Sequence, residues 1–374
     1  MREQRKKGEE AQERHMLECL RLARRGTGHV SPNPLVGAVL VRGGKIISRG
    51  WHKAFGGPHA EVECLNQARG DLGSATLYVN LEPCAHYGKT PPCTDKIIQS
   101  GVKSVIVSMK DPNPLVEGRG LRALQEAGIR ISTGLLEREA RHLNRFFLKH
   151  VTHGFPYVNV KIAQSIDGFI AGPRAPRYIS SPHSLRLVHR WRGEYDAVLV
   201  GAGTVRADNP QLTVRHARGR DPHVVIIDGR FSVPEHANAL QRTSGRGVFV
   251  CVESSQAKRQ RDKVHRLEER GVVVLPLPAR RGAIKLRDVL EAIYRFSIGS
   301  VLVEGGASVF SQFIDEGLVD ELSIFVAPLI LGSGVRAFER NWPGESPLGH
   351  PAGVSVTKVG RDVLFSSLFS MGRQ

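Results

Sequence analysis

His59 and Glu61 stand two residues apart, and Cys84 and Cys93 follow nine residues from one another. One imidazole and two thiolates suit tetrahedral zinc, and three protein ligands leave the fourth position to water, which marks a catalytic site. Zinc lowers the pKa of such a water to roughly 7, so hydroxide is available at neutral pH. Glu61 falls in the first turn of a helix opened by His59, too close to face away from the metal. It is placed to take the water's proton and pass it to leaving ammonia, the division of labour in hydrolytic zinc deamination. A lone His-x-Glu is usually a solvated helix start, and a lone cysteine a small buried apolar residue. The four residues together, with a strand delivering Glu82-Pro83-Cys84, point to a catalytic metal. Cys19 and Cys64 lack this company and read as core residues. His52 and His86 read either as substrate contacts or as surface histidines.

Eight residues separate the two site cysteines, where deaminases of nucleosides and nucleic acids usually have two. The intervening Ala85–Pro92 loop carries His86, Lys89 and turn-forming Gly88, Pro91 and Pro92. It would lie beside the metal, where a substrate phosphate could be held. The elements that must position these groups alternate. Apolar spacing predicts a helix over 15–25, and the charged residues before it read as a frayed tail. Strands at 36–41 and 45–48 flank a Gly43-Gly44 turn. Then come helix 60–68, strand 75–81, helix 94–99, strand 104–109, helix 121–127, strand 129–131 and a basic helix over 135–149. Helix starts at His59 and Cys93 favour negative charge and so help thiolates form.

A domain boundary falls near Gly154-Phe155-Pro156, giving domains 1–150 and 151–374. The second half alternates again: strands at 158–163, 197–200, 224–227, 248–252, 272–275, 301–303 and 322–327, and helices at 181–192, 263–270, 286–296 and 307–315. Alternation of this kind predicts an α/β layer fold in both halves. No G-x-G-x-x-G follows the first strand, so a Rossmann reading fails. Instead Gly201-Ala202-Gly203-Thr204 and Gly305-Gly306-Ala307-Ser308 each join a strand to a helix, where backbone N–H groups make an anion site. Two such junctions fit a dinucleotide pyrophosphate better than either alone. In the polar stretch after the first, Asp208 could hold ribose hydroxyls and Arg215 a phosphate, although a surface loop fits the spacing equally.

With 374 residues, 41% of them hydrophobic, the chain is ordinary globular material for two domains. No apolar run is long enough to span a membrane, and the charged N-terminus lacks a secretory h-region. Five sparse cysteines suit a reducing cytoplasm rather than a disulfide scaffold. The net charge of +17 invites a nucleic-acid reading, but no basic block is interleaved with stacking aromatics. General basicity and attraction of anionic substrates account for it better. The sequence leaves open whether like subunits assemble.

Ser31-Pro32-Asn33-Pro34-Leu35-Val36-Gly37, His59-Ala60-Glu61, Leu81-Glu82-Pro83-Cys84 through Pro92-Cys93, and Asp111-Pro112-Asn113-Pro114 resemble, in order and spacing, the deaminase half of the bifunctional riboflavin-biosynthesis deaminase–reductase family. The second half is similar to that family's reductase. The resemblance implies a cytidine-deaminase-like domain followed by a dihydrofolate-reductase-like domain. It implies deamination of 2,5-diamino-6-(5-phosphoribosylamino)pyrimidin-4-one, then NADPH-dependent reduction of the ribosyl group to ribityl. It makes His59, Cys84 and Cys93 the zinc ligands and Glu61 the proton shuttle, with Asn33, His86 and Lys89 as substrate contacts. In the second half it places Arg192, Asp208, Leu212, Arg215 and Glu304 at the substrate. It places Gln164, Tyr178, Thr204 and the run Gly306, Ala307, Ser308, Val309, Phe310, Ser311 and Gln312 at NADPH, where Asp208 also belongs. Lys161 and Asp167 sit in a segment typical of the reductase. The family commonly has Asp where Asn209 stands and often Trp where Tyr178 stands.

Overall fold

The computed structural model describes residues 2–87, 91–113, 116–173, 175–176, 178–243, 245–280, 283–339 and 346–369. Contacts divide the chain into two compact units, Met1–Gly154 and Phe155–Gln374. In order, the first contains α1 (Arg2–Ala23), β1 (Gly37–Arg42), β2 (Lys45–Trp51), α2 (Ala60–Gln67), β3 (Thr76–Leu81), α3 (Cys93–Gln99), β4 (Ser104–Met109), α4 (Arg119–Glu126), β5 (Arg130–Thr133), α5 (Glu137–Leu143) and α6 (Arg145–His153). Its sheet has the order β2-β1-β3-β4-β5. β1 is antiparallel to both neighbours, and β3, β4 and β5 are parallel.

Side chains alternate along a strand, so a strand covered on both faces is apolar at successive positions. Ala38 and Leu40 of β1 enter one core with Leu65, Ile97 and Leu124, while Val39 and Val41 pack with Met16, Cys19 and Leu22 of α1. Cys19 and Cys64 are both fully buried. Two expectations need correction. The charged N-terminal residues are helical from Arg2 onward rather than frayed, in keeping with the high helix propensity of Glu, Gln, Lys and Arg. The basic segment 135–149 is not one helix, because α5 and α6 meet at Asn144. That residue leaves helical geometry (φ −97°, ψ 17°). Its side chain accepts from the Leu35 N–H at 2.7 Å and donates to the Leu35 carbonyl at 3.0 Å.

The second unit contains β6 (Tyr157–Ser165), β7 (Phe169–Ala171), α7 (Pro182–Glu194), β8 (Ala197–Gly201), α8 (Ala202–Asp208), β9 (His223–Ile227), β10 (Val248–Glu253), α9 (Ser254–Arg259), α10 (Arg261–Glu269) and β11 (Val273–Leu277). After these come β12 (Ala279–Arg280), β13 (Ala283–Ile284), α11 (Leu286–Tyr294), β14 (Ser300–Gly305), α12 (Ala307–Asp315), β15 (Glu321–Ala327), β16 (Val335–Arg336), β17 (Gly353–Val359) and β18 (Asp362–Leu368). The main sheet has the order β11-β10-β9-β8-β14-β6-β15-β18-β17. It is parallel from β11 to β15 and closes with an antiparallel β15-β18-β17 edge. The β17–β18 hairpin was not anticipated, although Gly360 and the alternation of Val354, Ser355, Val356 and Thr357 are hairpin signals. The late strand β14 is inserted between β6 and β8, which makes a topological switch. In open α/β sheets ligands bind outside the carboxyl ends of the strands at such a point. Both glycine–helix junctions, β8 to α8 and β14 to α12, lie there.

Candidate active sites

His59 precedes α2 in extended conformation, Glu61 lies in that helix's first turn, Cys84 follows β3 and Cys93 begins α3. These connections bring the ligand atoms of His59, Cys84 and Cys93 within 4.8 Å of one another. His59 Nδ1 is 3.1 Å from Cys93 Sγ and 3.6 Å from Cys84 Sγ. The Cys93 backbone N–H donates to Cys84 Sγ at 3.4 Å. One nitrogen and two sulfur donors at this spacing fit zinc with one position left over. Hydrogen bonding from Cys93 holds the Cys84 thiol well below the usual range, and the same contact pushes Cys93 above it.

Glu61 is only 3% exposed, and its Oε2 is buried with no hydrogen-bond partner among the described residues. A buried carboxylate oxygen ordinarily has a partner, and a water held at a metal would provide one. Burial pushes the Glu61 carboxyl up to about 7, where it can both take and give a proton at neutral pH.

A cavity of about 300 Å³ opens over these groups and is also lined by Asn33, His52, His86 and Asp111. Asn33 and His86 therefore face the same space as the metal-ligand cluster, whereas Lys89 and Pro114 lie outside the described residues. His52 is not a surface histidine, being 2% exposed. Its Nδ1 is 3.0 Å from the Pro58 carbonyl and its Nε2 3.1 Å from Asn33 Nδ2. A carbonyl only accepts, so Nδ1 carries the proton and the Asn33 amide donates to Nε2. Sequence reasoning also missed Glu82. Its buried carboxylate accepts from the backbone N–H groups of Asp111, Gly118, Gly120 and Leu121 at 3.2, 3.2, 3.0 and 3.3 Å. A side chain on Gly120 would come within 1.9 Å of the Pro83 carbonyl, so the start of α4 packs directly on the Cys84 segment. Glu82 adjoins Cys84 in sequence, but nothing local names its partners.

In the second unit the two glycine–helix junctions meet. Side chains built on Gly305 and Gly306 would come 3.2 and 3.1 Å from Thr204 Oγ1. The run from Gly306 to Gln312 divides. Ser308 is exposed, and Ala307, Val309, Phe310 and Ser311 are buried. Gln312 donates to the Ile284 carbonyl at 2.7 Å and to Glu316 at 2.9 Å. Contacts from this run to a ligand would therefore come largely from backbone. Arg192 and Glu304 form a buried two-pronged pair at 2.6 and 2.7 Å. Burial alone would raise the Glu304 carboxyl, but Arg192 and Lys161 hold it low. Burial pushes the Lys161 ammonium down against the pull of Glu304. Leu212 is buried, while Asp208 and Arg215 are exposed. Tyr178 is 50% exposed, and Gln164 lies near the carboxyl end of β6, paired with Val326. Asp167 accepts from the Leu331 and Gly332 N–H groups. Asn209 ends α8 in left-handed conformation and accepts from the Asn238 N–H at 2.8 Å. Asparagine tolerates that conformation better than most residues.

Fold and site together define a zinc-deaminase-like unit followed by a reductase-like unit. The zinc-binding region of cytidine and deoxycytidylate deaminases matches residues 9–109, and the RibD C-terminal domain matches residues 156–364. The riboflavin biosynthesis protein RibD of Bacillus amyloliquefaciens is 39% identical, over 97% of this chain and 97% of that one. RibD of Escherichia coli is 38% identical over 87% of this chain and 89% of its own. The crystal structure of a diaminohydroxyphosphoribosylaminopyrimidine deaminase/5-amino-6-(5-phosphoribosylamino)uracil reductase from Thermotoga maritima superposes with a TM-score of 0.83 at 38% identity. It covers 97% of this chain and 100% of that one. The Acinetobacter baumannii RibD structure gives 0.84 at 34% identity, covering 97% of this chain and 99% of that one. The chain belongs to the RibD family of bifunctional riboflavin-biosynthesis enzymes, which carry out a deamination and a reduction.

Proposed function

We propose that the N-terminal domain, 1–150, hydrolyses 2,5-diamino-6-(5-phosphoribosylamino)pyrimidin-4(3H)-one to 5-amino-6-(5-phosphoribosylamino)uracil, and that the domain 151–374 reduces the ribosyl chain of that product to ribityl with NADPH. The convergence of His59, Cys84 and Cys93 within 4.8 Å, next to a buried Glu61, carries the first half. His59, Cys84 and Cys93 would hold zinc, which when bound supplies the Lewis acidity that makes water a nucleophile near pH 7. Glu61 takes a proton from that water and returns one to the departing ammonia. Asn33 and His86, on the cavity wall, orient the pyrimidine, and Lys89 serves the phosphate.

In the reductase, Thr204 and the backbone at Gly305–Ser308 receive the cofactor pyrophosphate. NADPH supplies the hydride when bound. Gln164, Tyr178 and Asp208 complete its surroundings, and Arg192, Leu212, Arg215 and Glu304 line the substrate side. Among the described residues no helix is long and apolar enough to cross a membrane, and a cytoplasmic setting with small phosphorylated substrates fits this chemistry. The test is direct. The protein is incubated with the diaminopyrimidine phosphoribosyl compound, with and without NADPH, and the products are weighed by mass spectrometry. Deaminated product alone without NADPH, and ribityl product with it, are expected. No loss of the amino group under either condition would overturn the reading.

A further inference from the structure

The segment Gln211–Arg215, which carries Leu212 and Arg215, belongs to no helix or strand, yet side chains from elsewhere bind four of its backbone polar groups. The Gln211 carbonyl accepts from Arg246 Nη2 at 2.8 Å, and the Thr213 carbonyl accepts from Arg192 Nη1 at 3.1 Å. The Val214 N–H donates to Asp221 at 2.7 Å, and the Arg215 N–H donates to His189 Nδ1 at 3.0 Å. Leu212, between the outer grips, is held at φ +56°. A branched residue stays in that region only when its surroundings over-determine it, and such residues gather at ligand clamps.

Arg246 is the unusual member. It is 1% exposed, among the largest fully buried side chains in the protein. Its Nε has no hydrogen-bond partner among the described residues. Burial disfavours the charge of this guanidinium, and the nearby Asp221 carboxylate offsets that only in part, which is unfavourable unless the charge has a use. Arg246, Arg192 and Arg215 converge around this one segment; Glu304 answers Arg192 and Asp221 partly answers Arg246, and the positive charge left over favours an anionic ligand.

Resting on the reductase reading above, we propose that Arg246 is a positioning residue for the reductase substrate. It anchors the Leu212–Arg215 segment through the Gln211 carbonyl, and its charge, only partly offset by Asp221, favours the substrate's phosphomonoester. The substrate does not touch Arg246, so loss of the side chain weakens substrate binding rather than hydride transfer. The experiment uses full-length protein with Arg246→Met and Arg246→Lys, the second keeping the charge but not the fork. Reductase KM and kcat are measured for the deaminated phosphoribosylamino compound and for its dephosphorylated riboside. Deamination by the same samples reports folding of the other unit. Loss of a hydrogen bond to a charged group corresponds to about a tenfold rise in KM, with kcat little changed. R246K should recover part of this. The rise should shrink with the riboside.

Hydrogen exchange at the Val214 and Arg215 amides gives a readout independent of activity, and it should quicken in R246M. Unchanged KM together with unchanged exchange overturns the proposal, as does an equal effect on phosphorylated and dephosphorylated substrates. A fall in kcat at constant KM would also overturn it. If the unaltered protein reduces neither compound, the reductase reading fails, and slow exchange in both variants would then reject the anchoring role on its own.

Discussion

In the first unit the Glu61 carboxyl is buried with an oxygen that no described neighbour satisfies. In the second, the Glu304 carboxylate is gripped by Arg192 at 2.6 and 2.7 Å. The two groups are alike in chemistry and burial and opposite in outcome. Desolvation that His59 offsets only in part pushes Glu61 up to about 7, so it can exchange a proton. Desolvation answered by a guanidinium keeps Glu304 low, so its charge is fixed and can orient but not transfer. The difference teaches that burial alone does not assign a role to a carboxylate, because its partner does. It also matches the two steps, since hydrolysis needs a proton carrier whereas in reduction the cofactor brings the reacting hydride.

The largest expected effect that separates the units is metal removal. The protein should contain about one zinc per chain, and dialysis against a chelator should abolish ammonia release while NADPH oxidation on the deaminated compound continues. Loss of both activities together would break the comparison. Next, Glu61→Gln should keep zinc and lose deamination by about 100- to 10,000-fold, because an amide cannot accept the proton. Near-normal ammonia release from that variant would remove Glu61 from the mechanism.

Glu304→Gln asks the converse question. Arg192 would be left buried without its counter-charge, a change that destabilises by about 3–5 kcal/mol. The denaturant midpoint of the second unit should fall accordingly while deamination persists. An unchanged midpoint would mean that the pair is not as desolvated as the structure places it.

The smallest effect is a pH dependence. The folded value for Glu61, about 7, lies above its ordinary 4.5, so the folded chain binds this proton more tightly than the unfolded one. Its stabilising contribution is therefore complete below pH 4.5 and is lost as pH rises through about 7. In chelated protein, stability should fall across this window by about 3 kcal/mol more than in Glu61→Gln. Parallel curves for the two would show that Glu61 is solvated after all.

Much of this was legible before any coordinates. Alternating apolar runs gave nearly every strand that underlies a site, because a strand buried on both faces is apolar along its length and stands out from polar turns. The His59, Glu61, Cys84 and Cys93 set was legible because metal ligation restricts residue type so severely. Less was legible where a residue's role depends on a distant partner. His52 gave no local sign that it would be buried against Asn33 and Pro58, and Glu82 none that it would gather the N–H groups of Asp111, Gly118, Gly120 and Leu121. The segment 135–149 reads as one basic helix because nothing local marks the break at Asn144, whose side chain bonds to Leu35, far away in the chain.

By itself, then, the sequence determined the α/β layering, the ligand types and the two glycine–helix junctions, since these depend on periodicity, donor chemistry and local backbone freedom. Only the tertiary structure decided which charges are paired. It set Arg192 on Glu304, left Glu61 without a guanidinium partner, and turned Arg246 inward onto Gln211. The physical reason is that a charge's pKa and usefulness depend on the dielectric and partners around it, and these are supplied by residues that share no neighbourhood in the chain.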